Sequence, residues 1–295
     1  MVLPVLFDRY VIVDWSANSK PKSGKDSVWI AELGPDGPAL TRNPRTRREA
    51  KGIVRGILGQ AVAERRRVLV GFDFPYGYPA GFARALQLDG KAWEATWKYL
   101  ADRIEDDAKN VNNRFQLADE INANLPEPVF WGCTNGKVFE HLAPTKHRVV
   151  YRRGDEDEGL PEWREVESVV HARGQHPHSI WKLNYNGSVG GQSLTGIPVL
   201  ARLRSDPALA AVSLVWPFEV TEPNFPEGEP AILHAEIWPS LRHIPAVDGQ
   251  VKDESQVTFL AEEYRTRDEA GTLGSLFAVA SSPAASEEGW ILGVE

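Results

Sequence analysis

The sequence predicts an α/β protein built on a mixed sheet, three antiparallel strands followed by parallel ones, with a large and mainly helical insertion. Three observations carry this prediction. Three strand-like segments open the chain with turns and no helix between them, and a capped helix then leads into a short, almost wholly apolar strand. Both the first and the fourth of these runs close on an aspartate, Asp14 and Asp73.

Tyr10-Val-Ile-Val-Asp14 is a β-branched run, and Asp26-Ser-Val-Trp-Ile-Ala-Glu-Leu33 is a second strand candidate. The polar, glycine-containing stretch Ser16 to Lys25 between them suits a hairpin loop. Gly34-Pro-Asp-Gly37 is a strong turn signal before a short third strand at Ala39 to Arg42. Thr46, followed three residues later by Glu49, forms a capping box, and Ile53, Ile57, Leu58, Ala61 and Val62 then recur at helical spacing. Arg67-Val-Leu-Val-Gly-Phe-Asp73 suits a central parallel strand buried on both faces. Phe74-Pro-Tyr-Gly-Tyr-Pro79 has to be loop.

From about residue 80 to 207 the pattern is helical and then irregular. Trp93, Trp97, Leu100 and Ile104 form one stripe, Phe115, Ala118 and Ile121 a second, and Trp163, Val166, Val169 and Val170 a third that Gly174 closes. The acidic run Asp155 to Glu158 reads as a surface loop. Without a long Ser/Gly/Pro linker on either side, this stretch reads as an insertion in a single domain spanning 1–295. Ala211 to Trp216 and Ala231 to Trp238 are two more strands, each stopped by proline. Val257, Leu260, Ala261 and Tyr264 predict one helix, and Ala270, Leu273, Leu276, Phe277 and Ala280 another. Three antiparallel strands, a crossover helix and a parallel strand is the order of the ribonuclease H-like fold. A doubly wound sheet would need helices between the opening strands.

Composition narrows the function. With 42% hydrophobic and 25% charged residues, disorder and collagen-like structure are excluded. A single cysteine, Cys133, excludes a disulfide framework and a multi-cysteine zinc site. Asp8 and Arg9 interrupt the short apolar start, so a cytoplasmic location is expected. The most apolar stretch, Leu209 to Phe218, contains Pro217 and is too short to span a membrane, so no membrane partner is expected. A formal charge of −8 argues against wide, non-specific contact with nucleic acid. Yet Arg42, Arg45, Arg47, Arg48, Lys51 and Arg55 face only Glu49, which reads as a solvated helix face or as a local basic surface.

If the first and fourth strands are adjacent and parallel, Asp14 and Asp73 lie side by side at the end where open α/β sheets place ligands. Two such carboxylates repel, and a divalent cation relieves the repulsion. Glu236, inside an apolar strand, completes an oxygen-rich set of Asp14, Asp73 and Glu236 able to hold Mg2+ or Mn2+ for phosphodiester chemistry. Each acid also has a structural reading: Asp14 as a turn residue, Asp73 as an Asx-turn, Glu236 as an outward-facing strand position. Asp253, which precedes Gln256 in a capping-box pattern, reads as an N-cap, with a ligand role as the alternative, so that either Asp253 or Asp268 could complete the acid cluster. Asp268 is expected in the first turn of the final helix, where it suits the helix dipole and where this type of fold commonly places its last catalytic acid.

Val13-Asp14-Trp-Ser-Ala, Gly71-Phe-Asp73-Phe-Pro75-Tyr-Gly, Gly187-Ser-Val-Gly-Gly-Gln-Ser-Leu-Thr-Gly-Ile-Pro198, Glu236-Ile-Trp-Pro-Ser240, Asp253-Glu-Ser-Gln-Val257 and Glu288-Gly-Trp-Ile-Leu-Gly293 occur in that order. In this the chain resembles the family called domain of unknown function 429, described as predicted nucleases of ribonuclease H fold. The resemblance spans nearly the whole chain and implies a metal-dependent acid cluster at Asp14, Asp73 and Glu236. More divergent members carry an Asp-Ala pair on the last helix, which Asp268-Glu269-Ala270 matches only approximately.

Gly187, Ser188, Gly190, Gly191 and Gln192 can offer backbone amides and a hydroxyl to an anionic ligand, although neither a Walker motif nor a dinucleotide fingerprint is present. The same glycines also suit a tightly turned loop. The expected function is a metal-dependent nuclease or phosphodiesterase acting on a short, structured or single-stranded nucleic acid or a nucleotide. One alternative is an ATP- or sugar-phosphate-handling enzyme of the actin-like kinase type, for which Ser16 to Gly24 is a poor phosphate hairpin. The other is a non-catalytic binding or scaffold protein that uses the tryptophan-rich insertion.

Overall fold

In the computed structural model, which describes residues 5–134, 136–146, 149–152, 159–185, 187–279 and 282–295, the chain opens as an antiparallel meander. Its strands are β1 (Arg9–Asp14), β2 (Trp29–Leu33) and β3 (Leu40–Arg42). Helix α1 (Arg47–Ala63) crosses over to β4 (Arg67–Phe72), which pairs in parallel with β1. After the insertion, β5 (Ser213–Val215) and β6 (Ala231–Glu236) add in parallel, giving one six-stranded mixed sheet of order β3-β2-β1-β4-β6-β5. Thus the antiparallel-then-parallel expectation is met.

Local chemistry explains the elements. The Thr46 hydroxyl accepts the amide of Glu49 at 3.2 Å to start α1, while the Glu49 carboxylate reaches back to the Arg45 amide at 2.9 Å, one residue before the cap. Strands β1, β4 and β6 are buried almost throughout, as two-sided coverage requires. Side-chain alternation splits them between two cores. Val11, Val13, Val68, Val70 and Phe72 face α1 and the insertion, where Val54, Leu58 and Trp97 meet them. Tyr10, Ile12, Leu69 and Ala235 face the opposite way, against Val257, Leu260, Ala261 and Tyr264 of α7 (Lys252–Glu269). Each fully buried side chain of this kind contributes about 1.5–3 kcal/mol.

The insertion comprises α2 (Phe82–Ala85), α3 (Ala92–Arg103), α4 (Arg114–Asn124), α5 (Glu165–Ala172) and α6 (Gly190–Arg204). All four residues of the tryptophan stripe on α3 are buried, and Trp93 stacks on Phe218 at 4.9 Å. Gly174 follows α5 at φ +78°, in the left-handed conformation that glycine supplies beyond a helix end. The acidic run 155–158 lies outside the described residues.

Three expectations change. First, the glycine-rich stretch is helical from residue 190, not a turned loop. Its glycines admit close neighbours: a β-carbon on Gly190 would lie 2.1 Å from the Ile180 carbonyl oxygen, and one on Gly196 2.3 Å from the Phe74 ring. Secondly, β5 is only three residues long because 210–212 turn as a 3-10 helix. Thirdly, no separate helix spans the described part of 270–280. Helix α7 runs on to Glu269, Gly271 turns the chain at φ +70°, and 273–277 form a 3-10 turn before α8 (Ala285–Glu288). Among the described residues, no helix is long and apolar enough to cross a membrane.

Candidate functional site

Register decides which acids meet. Val13 is the partner of Phe72, so Asp14 and Asp73 are the next pair along two adjacent parallel strands, and alternation turns both toward the α7 face. The Asp73 amide donates to the Val13 carbonyl at 3.2 Å, and the Trp15 amide donates to Asp73 Oδ1 at 2.7 Å, which fixes the carboxylate beside the end of β1. Helix α7 begins over this end of the sheet. Asp253, in its first turn, accepts the Asp26 amide at 2.6 Å and so ties the helix to the loop that leaves β1. Val251, not Asp253, is the N-cap, so the capping expectation is corrected; of the two acids that the sequence offers to complete the cluster, Asp253 and Asp268, it is Asp253 that lies at this end of the sheet.

The electrostatics follow from this crowding. Burial pushes Asp14 well above the usual carboxylate range, and Asp73, Asp253 and Asp26 push it further, against Lys252. Asp73 is pushed up to about 7 by burial, with the Trp15 and Asp73 amides opposing and Asp253 reinforcing the shift. Among the described residues, neither Asp14 nor Asp73 forms an ion pair.

Glu236 is placed differently. It pairs in register with Phe72, one residue out of phase with Asp73, and so points to the opposite face of the sheet. There Arg164 takes both carboxylate oxygens, Nη1 to Oε2 at 2.7 Å and Nη2 to Oε1 at 2.6 Å, and the Tyr76 amide adds a third bond at 2.9 Å. Arg164 also pairs with Glu167 at 3.0 Å and donates to the Glu288 carbonyl at 3.0 Å. Burial works against the charge on Arg164, but Glu236 and Glu167 more than offset it, and its proton affinity rises. Burial pushes Glu288 up to about 7, opposed by the Glu165 and Ala80 amides that it accepts. The expected ligand role of Glu236 is therefore corrected: its oxygens are bound inside a sealed ion-pair group.

Asp268 is also remote from the cluster. It occupies the last turn of α7 and accepts the Leu6 amide, the Phe7 amide and the Tyr10 hydroxyl at 2.7, 2.8 and 2.6 Å, at the opposite end of β1 from Asp14. The 15 residues from Asp253 to Asp268 correspond to about 22 Å of helix.

The glycine-rich segment does reach this end of the sheet. The Gln192 side chain donates to the Trp15 carbonyl, the Trp15 indole donates to Thr195 at 3.2 Å, and a β-carbon on Gly191 would meet Ala17. Much of it nevertheless serves packing. The Gly190 amide is spent on the Lys182 carbonyl, Gly187 lies against the His178 ring, and Ser188 is half-buried. Arg47, expected on a solvated face, is 1% exposed. It holds Asp106 through two bonds of 2.6 Å and donates to the Ser16, Asn18 and Asn110 carbonyls. Position 47 in the first turn of a capped helix carried no hint of that partner in the sequence. His234 and Ser213 make a buried 2.8 Å pair, with the imidazole pushed down to about 3 by burial, so it is a neutral packing group. Cys133 is buried and free.

Among the described residues, no three carboxylate, imidazole or thiolate side chains are gathered into a ready metal-holding group. Mg2+ commonly binds through one or two carboxylates with waters and substrate phosphates completing its shell, and two aspartates at neighbouring strand ends on one face of the sheet are donors of that kind. No protein-family model, curated protein or solved structure matches the chain.

Proposed function

We propose that this protein is a phosphodiesterase or nuclease of ribonuclease H-like fold that depends on Mg2+ or Mn2+, with Asp14 and Asp73 as metal ligands and Asp253 as the third acid of the site. One observation carries the reading: two acids at adjacent ends of central parallel strands share a crowded field that raises their proton affinity, with no ion-pair partner on either among the described residues. A divalent cation relieves that field as protons do. When bound, it supplies Lewis acidity to a phosphoryl oxygen. The chain's own groups position the acids: the Trp15 amide orients Asp73, Asp253 anchors the loop after Asp14, and Gln192 holds the Trp15 carbonyl from α6. Sheet order supports the fold assignment, because β3-β2-β1-β4-β6 carries two antiparallel pairings and then two parallel ones, as that fold does. The ordered motifs quoted above support placement with the domain of unknown function 429 family, and Glu236 is the point of departure from the ligand set that resemblance implies.

The test is cleavage of single-stranded DNA, RNA, branched DNA and ATP with Mg2+ or Mn2+ by wild type and Asp73→Asn. Cleavage of an oligonucleotide by wild type that is lost in the variant is the expected result. Equal cleavage by both, or none on any substrate, overturns the reading and favours a binding protein. Turnover of ATP alone favours the kinase-like alternative.

A further inference from the structure

A cavity of about 230 Å³ opens between the first turns of α1 and the carboxyl half of α6, lined by Arg47, Arg48, Lys51, Arg202 and Asp106 over an apolar floor. Four cationic side chains face one carboxylate. Arg47 already binds both oxygens of Asp106, so that negative charge is consumed within the wall; of the other three, Arg202 spends one Nη2 bond on the Ala101 carbonyl at 2.9 Å, and Arg48 and Lys51 remain. The nearby Asp206 is held by Arg55 at 2.6 Å. A further guanidinium, Arg114, is buried beside Arg47, and burial together with Arg47 lowers its proton affinity to about 10. In a protein of net charge −8, this concentration of positive charge is local and specific.

The cavity is joined to the acid site by two hydrogen bonds and a short stretch of chain. Arg47 donates to the Ser16 carbonyl at 3.1 Å and the Asn18 carbonyl at 2.7 Å, and Ser16 follows Asp14 by two residues, about 7 Å of extended chain. Guanidinium and ammonium groups are the usual partners of phosphate. A water occupies roughly 30 Å³ in the liquid, so the space admits a phosphate group with several waters. We propose that this cavity is a phosphate subsite, taking a phosphate of the substrate other than the one that meets Asp14 and Asp73. It rests on the phosphodiesterase reading and deepens it: the substrate carries at least two phosphates, as an oligonucleotide or a nucleoside polyphosphate does.

Arg48 is exposed and Lys51 half-buried, so both can be changed without opening the core. The experiment is fluorescence anisotropy of a short fluorescein-labelled single-stranded oligonucleotide, without metal, over a series of NaCl concentrations. Wild type, the double variant Arg48→Gln/Lys51→Gln and Asp73→Asn are compared. Each phosphate site lost to a single strand flattens the slope of log K against log salt by about 0.7, so the double variant, which loses this one site, should show a slope lower by about 0.7 and binding about tenfold or more weaker. Asp73→Asn should retain the wild-type slope. Unlabelled ATP and inorganic phosphate are titrated as competitors. Competition by ATP in wild type that disappears in the double variant supports the subsite and places a nucleoside polyphosphate among its sources. Wild-type slope and affinity in the double variant overturn the subsite, even if Asp73→Asn abolishes cleavage and the acid site survives. A changed slope with no cleavage by wild type leaves the subsite standing and removes the reaction.

Discussion

On the α7 face of the sheet, Asp14 and Asp73 meet at neighbouring strand ends and are half-buried; on the opposite face Glu236 is sealed against Arg164, with side-chain exposures of 3% and 0%. Each region contains an acid pushed up to about 7, Asp73 in the first and Glu288 in the second. Raised proton affinity therefore does not separate chemistry from architecture here. The counter-cation and access do. In the second region Arg164 neutralises part of the charge and fills the space a ligand would need. In the first region Lys252 acts on Asp14 from a distance, but among the described residues no cation pairs with Asp14 or Asp73, and both are only half-buried.

Removing the cation is the most damaging way to break this contrast. Arg164→Met leaves Glu236, Glu167 and Glu288 without their shared partner, and breaking a buried pair in this way costs about 3–5 kcal/mol. Calorimetry should show a fall in Tm on the order of 10 °C; an unchanged Tm would mean that the group carries no structural charge balance. The next test separates the two ends of α7. Asp253→Asn should lower metal-dependent turnover about 100-fold, close to 2.7 kcal/mol of barrier, with little change in Tm. Asp268→Asn should instead cost about 1–3 kcal/mol of stability through its lost acceptors, while turnover per folded molecule persists. Steady-state kinetics beside thermal scans decide it, and equal turnover losses would merge the two acids into one site.

The smallest effect is the pH dependence. Asp73 holds its proton to about 7 in the folded protein, against an ordinary value of 3.8, so the native state binds more protons than the unfolded chain between those values. Metal-free stability should therefore fall as pH rises from about 4 to 7. Glu288 adds a decline in the same window, so the informative quantity is the difference made by Asp14→Asn. After allowance for solvent screening, that variant should gain roughly 1–2 kcal/mol above pH 7, a few degrees of Tm, and should lose the stabilisation that Mg2+ gives wild type. A variant that still responds to Mg2+ like wild type removes Asp14 from the ligand set.

Much of the frame was legible because it is written in local patterns. The capping box at Thr46 and Glu49, the turn at Gly34 to Gly37 and the apolar run before Asp73 each specify an element within a few residues. Pairing Asp14 with Asp73 needed only the adjacency of two strands. Glu236 misled because a strand-interior acid reveals neither its register nor its face, and the Arg164 that claims it lies 72 positions away. Asp268 changed role for a related reason: Gly271 ends α7 later than the periodicity suggested, which turns an expected helix start into a helix end, while Asp253 falls inside the first turn because the helix starts earlier, at Lys252 with Val251 as its cap. The glycines of 187–196 suit an anion site or a tight turn in the sequence, and nothing local there tells of Ile180 and Phe74, whose close approach at Gly190 and Gly196 the helix serves instead.

Helix α7 acts as a spacer of fixed length between two attachments. Asp268 fastens one end to the backbone at Leu6 and Phe7, and Asp253 delivers a carboxylate at the other. An α-helix advances 1.5 Å and turns about 100° per residue. One residue added or lost between them would swing Asp253 about 100° around the helix axis while the other end stayed fastened. Substitutions along the exposed side of α7 can accumulate freely, whereas changes in its length cannot, and the distance along the chain from 253 to 268 is as much a part of the site as the acid itself.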